Sequence, residues 1–253
     1  GSTPVGKKLM SACSKTVKRT SMELGGNAPF IVFDDADLDK AVSGAMISKY
    51  RNAGQTCVCT NRILVQHKIY DEFVSKFKSE CEKLVIGDGQ KETTTIGPLI
   101  DSNAAEDVKS LIEDAKIKGA RVELGGDSCD LGDNFINPTI LSNINTSMRV
   151  FNEEIFGPVA PIIKFETENE AIELANQTDF GLAAYFYSRD VGRVYRVSEK
   201  LEFGIIGVNE GIISNEMAPF GGIKESGNGR EGSKYGLDDY LEIKYVCVGG
   251  INE

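Results

Sequence analysis

Helix-like and strand-like patterns alternate along this chain, and that alternation constrains its fold more than any other feature. The last third shows it most clearly, with helical spacing in NEAIELANQ and VGRVYRVSEKL and strand patterns in AAYFYS and GIIGVN. Earlier, strand patterns in APFIVFDDAD and RILVQH precede predicted helices at 37–50 and 69–85. A strand followed by a helix, repeated, predicts an α/β domain with a mostly parallel, doubly wound sheet.

The remaining segments extend this prediction. Helices are expected at 7–17 and about 102–118, and strands at RVELGG, INPTIL and VAPIIKFE. The Gly-rich stretch 216–236 has no clear period, which predicts a surface loop or a loop that lines a site. The alternating segment YLEIKYVCVGG predicts an added strand that pairs with another subunit.

Charge and composition exclude several classes of partner. The 28 Lys and Arg residues against 38 Asp and Glu give a net charge of −10 without a basic stripe, so we expect no nucleic-acid partner. Apolar runs fall short of the roughly 20 residues that cross a bilayer, so we expect no membrane partner. Six cysteines in 253 residues are too sparse for a disulfide framework and favour a reducing compartment.

Several short motifs fail as sites on their own. GSTPVGKK has Lys8 where a nucleotide-binding P-loop needs a hydroxyl, although a Gly-rich turn that opens a helix still offers N–H groups to an anion. GNGREG follows a polar loop rather than a strand, which argues against a dinucleotide-binding turn. His67 is the only histidine, so a histidine-dependent hydrolase is disfavoured, and no zinc site is expected.

Two cysteines and one carboxylate remain as candidate chemical groups. Cys57 and Cys59 lie in RNAGQTCVCTNR, where polar groups and flexible backbone suit a nucleophilic thiolate, but spacing alone equally allows a redox pair or buried, inert cysteines. Glu23 precedes two glycines at the end of a strand pattern, which suits a general base as well as an ordinary surface residue.

Taken together, five motifs resemble the aldehyde dehydrogenase superfamily. GSTPVG, MELGGNAP, NAGQTC, EEIFGPV and PFGGIKESGNGRE occur in the order and approximate spacing of that family and span nearly the whole chain. The resemblance implies an aldehyde dehydrogenase-like catalytic domain with Cys57 as the nucleophile and Glu23 as the general base. The backbone N–H of Cys57 would then be an oxyanion donor.

The same resemblance implies NAD or NADP as the cofactor. It assigns the dinucleotide contacts to the turn formed by Gly1, Ser2, Thr3, Pro4, Val5 and Gly6, and to Leu24, Glu154 and Phe156. Glu154 would hold the nicotinamide ribose, and Phe156 would pack near the ring. The residues that distinguish NAD from NADP would precede Gly1.

Within the superfamily, GQTCVCTNR, GVNEGIISNEMAPFGGIKESG and GREGSKYGLDDYLEIKYVCVGG are most similar to the succinate-semialdehyde dehydrogenase subfamily. That similarity implies a short aldehyde substrate with a distal carboxylate, held by Arg51 and Ser214. It also implies that Cys57 and Cys59 form a disulfide that inactivates the enzyme under oxidation.

The resemblance also predicts how the chain is divided. Residues 1–25 would be the last piece of a dinucleotide-binding domain, 26–225 the catalytic domain, and 226–253 a terminal segment with an oligomerisation strand. Since most of the cofactor domain would precede Gly1, we expect the chain alone to have little activity. The complete protein would be a homo-oligomer, a dimer of dimers, in the mitochondrial matrix or the cytoplasm. The alternatives are an aldehyde dehydrogenase for another aldehyde and a non-catalytic structural or binding domain of the same fold.

Overall fold

The alternating patterns fold into one central sheet of seven strands with helices packed against it. A computed structural model describes residues 1–127 and 129–250. The helices are α1 (Thr3–Ser14), α2 (Leu38–Tyr50), α3 (Tyr70–Cys81), α4 (Ser102–Ile117), α5 (Arg149–Asn152), α6 (Glu168–Asn176) and α7 (Val191–Lys200). The strands are β1 (Met22–Glu23), β2 (Ala28–Val32), β3 (Thr60–Gln66), β4 (Arg121–Leu124), β5 (Thr139–Ser142), β6 (Val159–Phe165), β7 (Phe180–Gly181), β8 (Ala183–Tyr187), β9 (Ile205–Val208), β10 (Ile223–Lys224) and β11 (Gly227–Asn228).

The main sheet has the order β4-β5-β6-β3-β2-β8-β9. Every neighbouring pair in it is parallel except β4 and β5, which form an antiparallel edge. This confirms the predicted α/β class and the mostly parallel sheet. The central strands β2, β3 and β8 are buried along their whole length, as expected for a parallel sheet covered on both faces.

Two short antiparallel ribbons lie outside the main sheet. In one, β1 pairs with β11, so that Glu23 is opposite Gly227. In the other, β7 pairs with β10. The stretch 216–236 therefore carries two short strands that attach it to other parts of the chain, whereas its sequence predicted only a loop.

Most predicted boundaries hold to within about three residues, with three exceptions. The helix predicted at 69–85 ends earlier, at Cys81. The first helix begins at Thr3 rather than residue 7, because Pro4 in the first turn has a φ angle suited to a helix start and needs no N–H partner there. The segment 241–250 forms no strand with any other described part of the chain, and Ile243 and Tyr245 in it are exposed. Its pairing with another subunit stays a prediction.

Some features are absent from the described ranges 1–127 and 129–250. None of the helices there is long and apolar enough to cross a membrane. Within the same ranges, no three His, Cys, Asp or Glu side chains are grouped so that they could hold a metal ion. His67 Nδ1 lies 2.8 Å from Glu166 Oε2, with both side chains partly exposed.

Candidate active site

Cys57 lies on the loop that connects α2 to β3. The backbone after α2 turns sharply at Asn52 and Ala53, which both have φ near +53° in the left-handed region. Residues other than glycine rarely adopt this conformation, and those that do cluster at functional sites. The turn ends α2 and leads the chain to Cys57, which is half-buried three residues before β3 begins at Thr60.

The two glycines that follow Glu23 allow this loop to approach. A Cβ at position 26 would collide with the carbonyl oxygen of Cys57, and one at position 25 would lie 2.8 Å from Glu154 Oε2. Only glycine allows both approaches without displacing backbone or a carboxylate. The MELGGN, GQTC and EEIF motifs, which are far apart in sequence, therefore meet at one place.

Their meeting place is a cavity of about 600 Å³. The side chains and backbone of ten residues line it: Gly1, Ser2, Glu23, Leu24, Gly25, Gln55, Thr56, Cys57, Glu154 and Phe156. The structure thus brings together both predicted catalytic residues and five of the predicted cofactor contacts. Gln55 and Thr56 also line it, and the sequence analysis did not single them out.

The thiol and the carboxyl in this cavity influence each other. Burial raises the pKa of Cys57 to about 12, and the negative charge of Glu23 adds to that effect. Burial also raises the pKa of Glu23, and the Cys57 thiol opposes this by interacting with its carboxyl group. Glu23 Oε1 is buried and accepts no hydrogen bond from any described residue. A buried carboxylate oxygen without a donor is suited to receive a proton from a bound water.

These shifts predict how Cys57 reacts with an alkylating agent. Since the thiolate is the reactive form, alkylation by iodoacetamide should still be accelerating at about pH 10 rather than reaching a plateau. Glu23→Gln removes a negative charge next to the thiol, lowers the Cys57 pKa and should increase the rate at any fixed pH. Mass spectrometry of the Cys57 peptide measures both effects.

Glu225→Gln is the matched control for that charge change, because Glu225 is paired with Lys7 at 2.6 Å outside the cavity lining. It should leave the Cys57 alkylation rate unchanged. A slower rate in Glu23→Gln would contradict the assignment, because it would mean that Glu23 deprotonates the thiol instead of repelling its charge.

Glu154 is held in the cavity by backbone. Its Oε1 accepts a hydrogen bond from the Gly26 N–H at 2.8 Å. Burial raises the pKa of Glu154 to about 7, although that hydrogen bond favours the charged form. The next aromatic residue, Phe156, has φ of +51° and a partly exposed ring at the cavity edge.

The two residues predicted to hold a substrate carboxylate do not line this cavity. Arg51 and Ser214 are exposed, and neither lines the cavity around Cys57. Arg51 forms no salt bridge with any carboxylate in the described ranges. Their joint role at a substrate carboxylate stays a prediction.

The predicted Cys57–Cys59 disulfide is not supported. Both cysteines are free thiols, and Cys59 is buried with its Sγ donating to the carbonyl oxygen of Lys49 at 3.3 Å. The chain turns between them, with the N–H of Cys59 donating to the carbonyl oxygen of Thr56 at 3.0 Å, and Cys57 lines the cavity while Cys59 is buried in the core. Lys49 is itself fully buried, its Nζ has no described hydrogen-bond partner, and burial lowers its pKa.

The sequence matches the model of the aldehyde dehydrogenase family over residues 1–246. The chain belongs to the aldehyde dehydrogenase family. This confirms the resemblance drawn from the five motifs. The cavity where four of those motifs meet is therefore the candidate active site of a member of this family.

Two relatives in the family and one solved structure illustrate the similarity. The chain is 60% identical to the 3-sulfolactaldehyde dehydrogenase of Pseudomonas putida, covering 100% of this chain and 52% of that protein. It is 60% identical to the NADP(+) succinate-semialdehyde dehydrogenase of Escherichia coli (strain K12), and the match covers 98% of this chain and 52% of that protein. The crystal structure of succinate-semialdehyde dehydrogenase from Burkholderia pseudomallei superposes with a TM-score of 0.97 at 57% identity. The match covers 98% of this chain and 52% of the chain in that structure. The chain thus spans about half the length of the relatives it matches.

Proposed function

We propose that the chain is the catalytic portion of an NAD(P)-dependent aldehyde dehydrogenase that oxidises a short aldehyde with an anionic far end, with succinate semialdehyde as the first candidate. One observation carries the proposal: the Cys57 thiol and the Glu23 carboxyl share a cavity of about 600 Å³ with Glu154 and Phe156. Family membership agrees with it.

The chemistry assigned to the chain's own residues has two halves. The Cys57 thiolate attacks the aldehyde carbon, so that a C–S bond forms, the carbonyl π bond breaks and its electron pair moves to the oxygen, which gives the oxyanion of a thiohemiacetal. After this carbon has lost a hydride, it remains bound to Cys57 as a thioester. Glu23 takes a proton from water, the resulting hydroxide attacks the thioester carbon, and the C–S bond breaks to release the carboxylic acid. Sulfur suits both halves because it is a strong nucleophile and a good leaving group.

The residues of the cavity fit a nicotinamide dinucleotide. The first turn of α1 supplies backbone N–H groups with no side-chain cap from Ser2, which suits a phosphate. Glu154 offers a carboxylate to ribose hydroxyls, and Leu24 and Phe156 offer apolar surface to the ring. When bound, the cofactor supplies the acceptor for the hydride.

The substrate assignment depends on Arg51 and Ser214 and on the names of the relatives. Succinate semialdehyde and 3-sulfolactaldehyde both end in an anion, a carboxylate in one and a sulfonate in the other. A guanidinium that has no described carboxylate partner suits such a group, because it can donate two parallel hydrogen bonds. The side chain of Arg51, six residues before Cys57 in the sequence, would reach the anionic end of the substrate.

The remaining parts of the enzyme belong to the same proposal. A cofactor-binding half would precede residue 1, and with it the residues that select NAD or NADP, a side-chain amide for the oxyanion and a second arginine. The predicted division at residues 25 and 225, the dimer of dimers and the location in the mitochondrial matrix or the cytoplasm are proposed on the same basis.

The test uses a complete protein in which these 253 residues follow a cofactor-binding half. We expect it to produce NADH or NADPH from succinate semialdehyde, monitored at 340 nm as is usual for reduced nicotinamide. Glutarate semialdehyde, 3-sulfolactaldehyde and an uncharged aldehyde of equal length are the comparison substrates. A complete protein without turnover of any of these aldehydes would refute the proposal.

Arg51→Ala tests the substrate class separately. We expect it to raise KM for an anionic aldehyde by about 10-fold to 100-fold, the effect of losing a charge-assisted hydrogen bond, and to leave KM for the uncharged aldehyde nearly unchanged. Steady-state kinetics on both substrates measures the difference. Arg189→Ala, which removes an exposed arginine paired with Asp37, is the control. Equal effects of Arg51→Ala on both aldehydes would contradict the assignment.

A further inference from the structure

Glu154 lies on a segment without regular structure. It falls between α5, which ends at Asn152, and β6, which begins at Val159. A side chain on such a segment is precise only when its backbone is held by neighbouring groups. The side chain that holds the backbone around Glu154 does not belong to the cavity lining.

Asn61 holds the backbone on both sides of Glu154. Its Nδ2 donates to the carbonyl oxygen of Glu153 at 2.8 Å, and its Oδ1 accepts from the N–H of Ile155 at 3.0 Å. One carboxamide thus bonds to the residue before Glu154 and to the residue after it. Because one contact needs a donor and the other an acceptor, the orientation of the amide is fixed.

A second asparagine supports the first. Asn61 Nδ2 also donates to Asn27 Oδ1 at 2.7 Å, and Asn27 Nδ2 donates to the carbonyl oxygen of Phe151 at 3.0 Å. Asn27 and Asn61 are 1% and 3% exposed, so water does not compete for these bonds. Both N–H groups of Asn61 and its carbonyl oxygen are used.

The positions of the two asparagines link the three motifs. Asn27 is four residues after Glu23, and Asn61 is four residues after Cys57. Their side chains are hydrogen-bonded to each other, and Asn61 is also hydrogen-bonded to the segment that carries Glu154. The bridge therefore sets where the Glu154 backbone lies relative to the two proposed catalytic groups.

We propose that Asn61, supported by Asn27, is a positioning residue that fixes Glu154 for the nicotinamide dinucleotide. The inference rests on the proposed function, since it gives Asn61 a purpose only if Glu154 contacts the cofactor. Asn61 itself touches neither cofactor nor substrate in this assignment. Its removal lets the segment around Glu154 shift, and the carboxylate then no longer matches the ribose.

The chain offers a closely matched control. Asn176 Nδ2 donates to the carbonyl oxygen of Lys200 at 2.8 Å, and its Oδ1 accepts from the N–H of Glu202 at 2.9 Å. It thus holds Leu201 as Asn61 holds Glu154, but it lies away from the cavity lining. Asn176→Ala removes the same two kinds of bond without affecting Glu154.

The experiment compares Asn61→Ala and Asn176→Ala in the complete protein. Isothermal titration with NAD(+) and NADP(+) should show dinucleotide affinity weakened by about 10-fold or more in Asn61→Ala only, an effect typical of a buried hydrogen-bond loss. Hydrogen exchange should show faster exchange of the Ile155 amide in the same variant. Both variants should lower Tm, Asn61→Ala by more because its bonds are buried and those of Asn176 are exposed, and a purely structural role predicts a lower Tm with unchanged dinucleotide affinity.

Three outcomes are distinguishable. Unchanged dinucleotide affinity in Asn61→Ala, with a wild type that binds and turns over, overturns the positioning role and leaves the proposed function standing. A wild type that neither binds dinucleotide nor oxidises an aldehyde refutes the proposed function instead. If Asn61→Ala does not fold, Asn27→Ala tests the bridge from its other end, and should weaken dinucleotide binding in the same direction; unchanged affinity in that variant overturns the positioning role.

Discussion

Cys57→Ala is expected to lower kcat for aldehyde oxidation in the complete protein by about 10⁴-fold or more, the size of effect seen when a covalent nucleophile is removed. No other thiol can substitute. Among the residues that the structure describes, Cys57 is the only cysteine that lines the cavity, and Cys59 is buried with its Sγ bonded to backbone carbonyl oxygens. Steady-state production of NADH or NADPH measures the loss.

Cys129→Ala is the control for this result. Cys129 is a partly buried free thiol in the irregular segment between β4 and β5, remote from the cavity lining. The control should retain wild-type turnover, and dinucleotide titration should show that Cys57→Ala still binds cofactor. Turnover within 10-fold of wild type in Cys57→Ala would exclude the covalent mechanism, because the difference would be too small for loss of a nucleophile.

The second large effect concerns the stability of the fold. Arg62 is 0% exposed, and its guanidinium donates to the carbonyl oxygens of Asn27, Leu174 and Ala175 at 2.8 to 3.3 Å. It also lies over the Phe151 ring at 5.1 Å. Burial without a carboxylate partner lowers the pKa of Arg62 to about 9. The side chain therefore connects the end of α6 to the segment that leads into β2.

Arg62→Met should lower the free energy of unfolding by about 3 kcal/mol or more, because it leaves three buried carbonyl oxygens without a donor. Urea denaturation monitored by circular dichroism measures the change. Arg189→Met replaces an exposed arginine that forms one ion pair, and should change stability by less than about 1 kcal/mol. A loss in Arg62→Met no larger than in the control would mean that water replaces the guanidinium.

Much of the fold could be predicted because each element carries its own local pattern. The strand at RILVQH and the helices at 102–118 and 191–201 follow from hydrophobic period alone, and the structure places them within two residues of the expected ends. The short strands β10 and β11 could not be predicted this way. Each has two residues, and they exist only because β7 and β1 lie beside them in space.

The site was predictable only in part. Cys57 and Glu23 were identified by motif, and the structure places them in one cavity, while their catalytic roles stay predictions. Asn27 and Asn61 were missed, because an asparagine near a motif has no periodic or spacing signal that distinguishes a buried clamp from a turn. The disulfide was expected from resemblance alone. The turn before β3 separates the two thiols, leaving Cys57 at the cavity and Cys59 in the core, and no spacing rule in the sequence predicts that turn.

The strand order also determines how this chain emerges during synthesis. Phe30 in β2 pairs with Tyr185 in β8, so the two neighbours are separated by most of the chain. At roughly 5–20 residues per second, a ribosome takes about 8–30 s to make the intervening segment. During that time the backbone N–H and C=O groups on one side of β2 lack their partner strand, even though β3 is already available on the other side. That side of β2 is therefore open to wrong strand pairing while the rest of the sheet is being made.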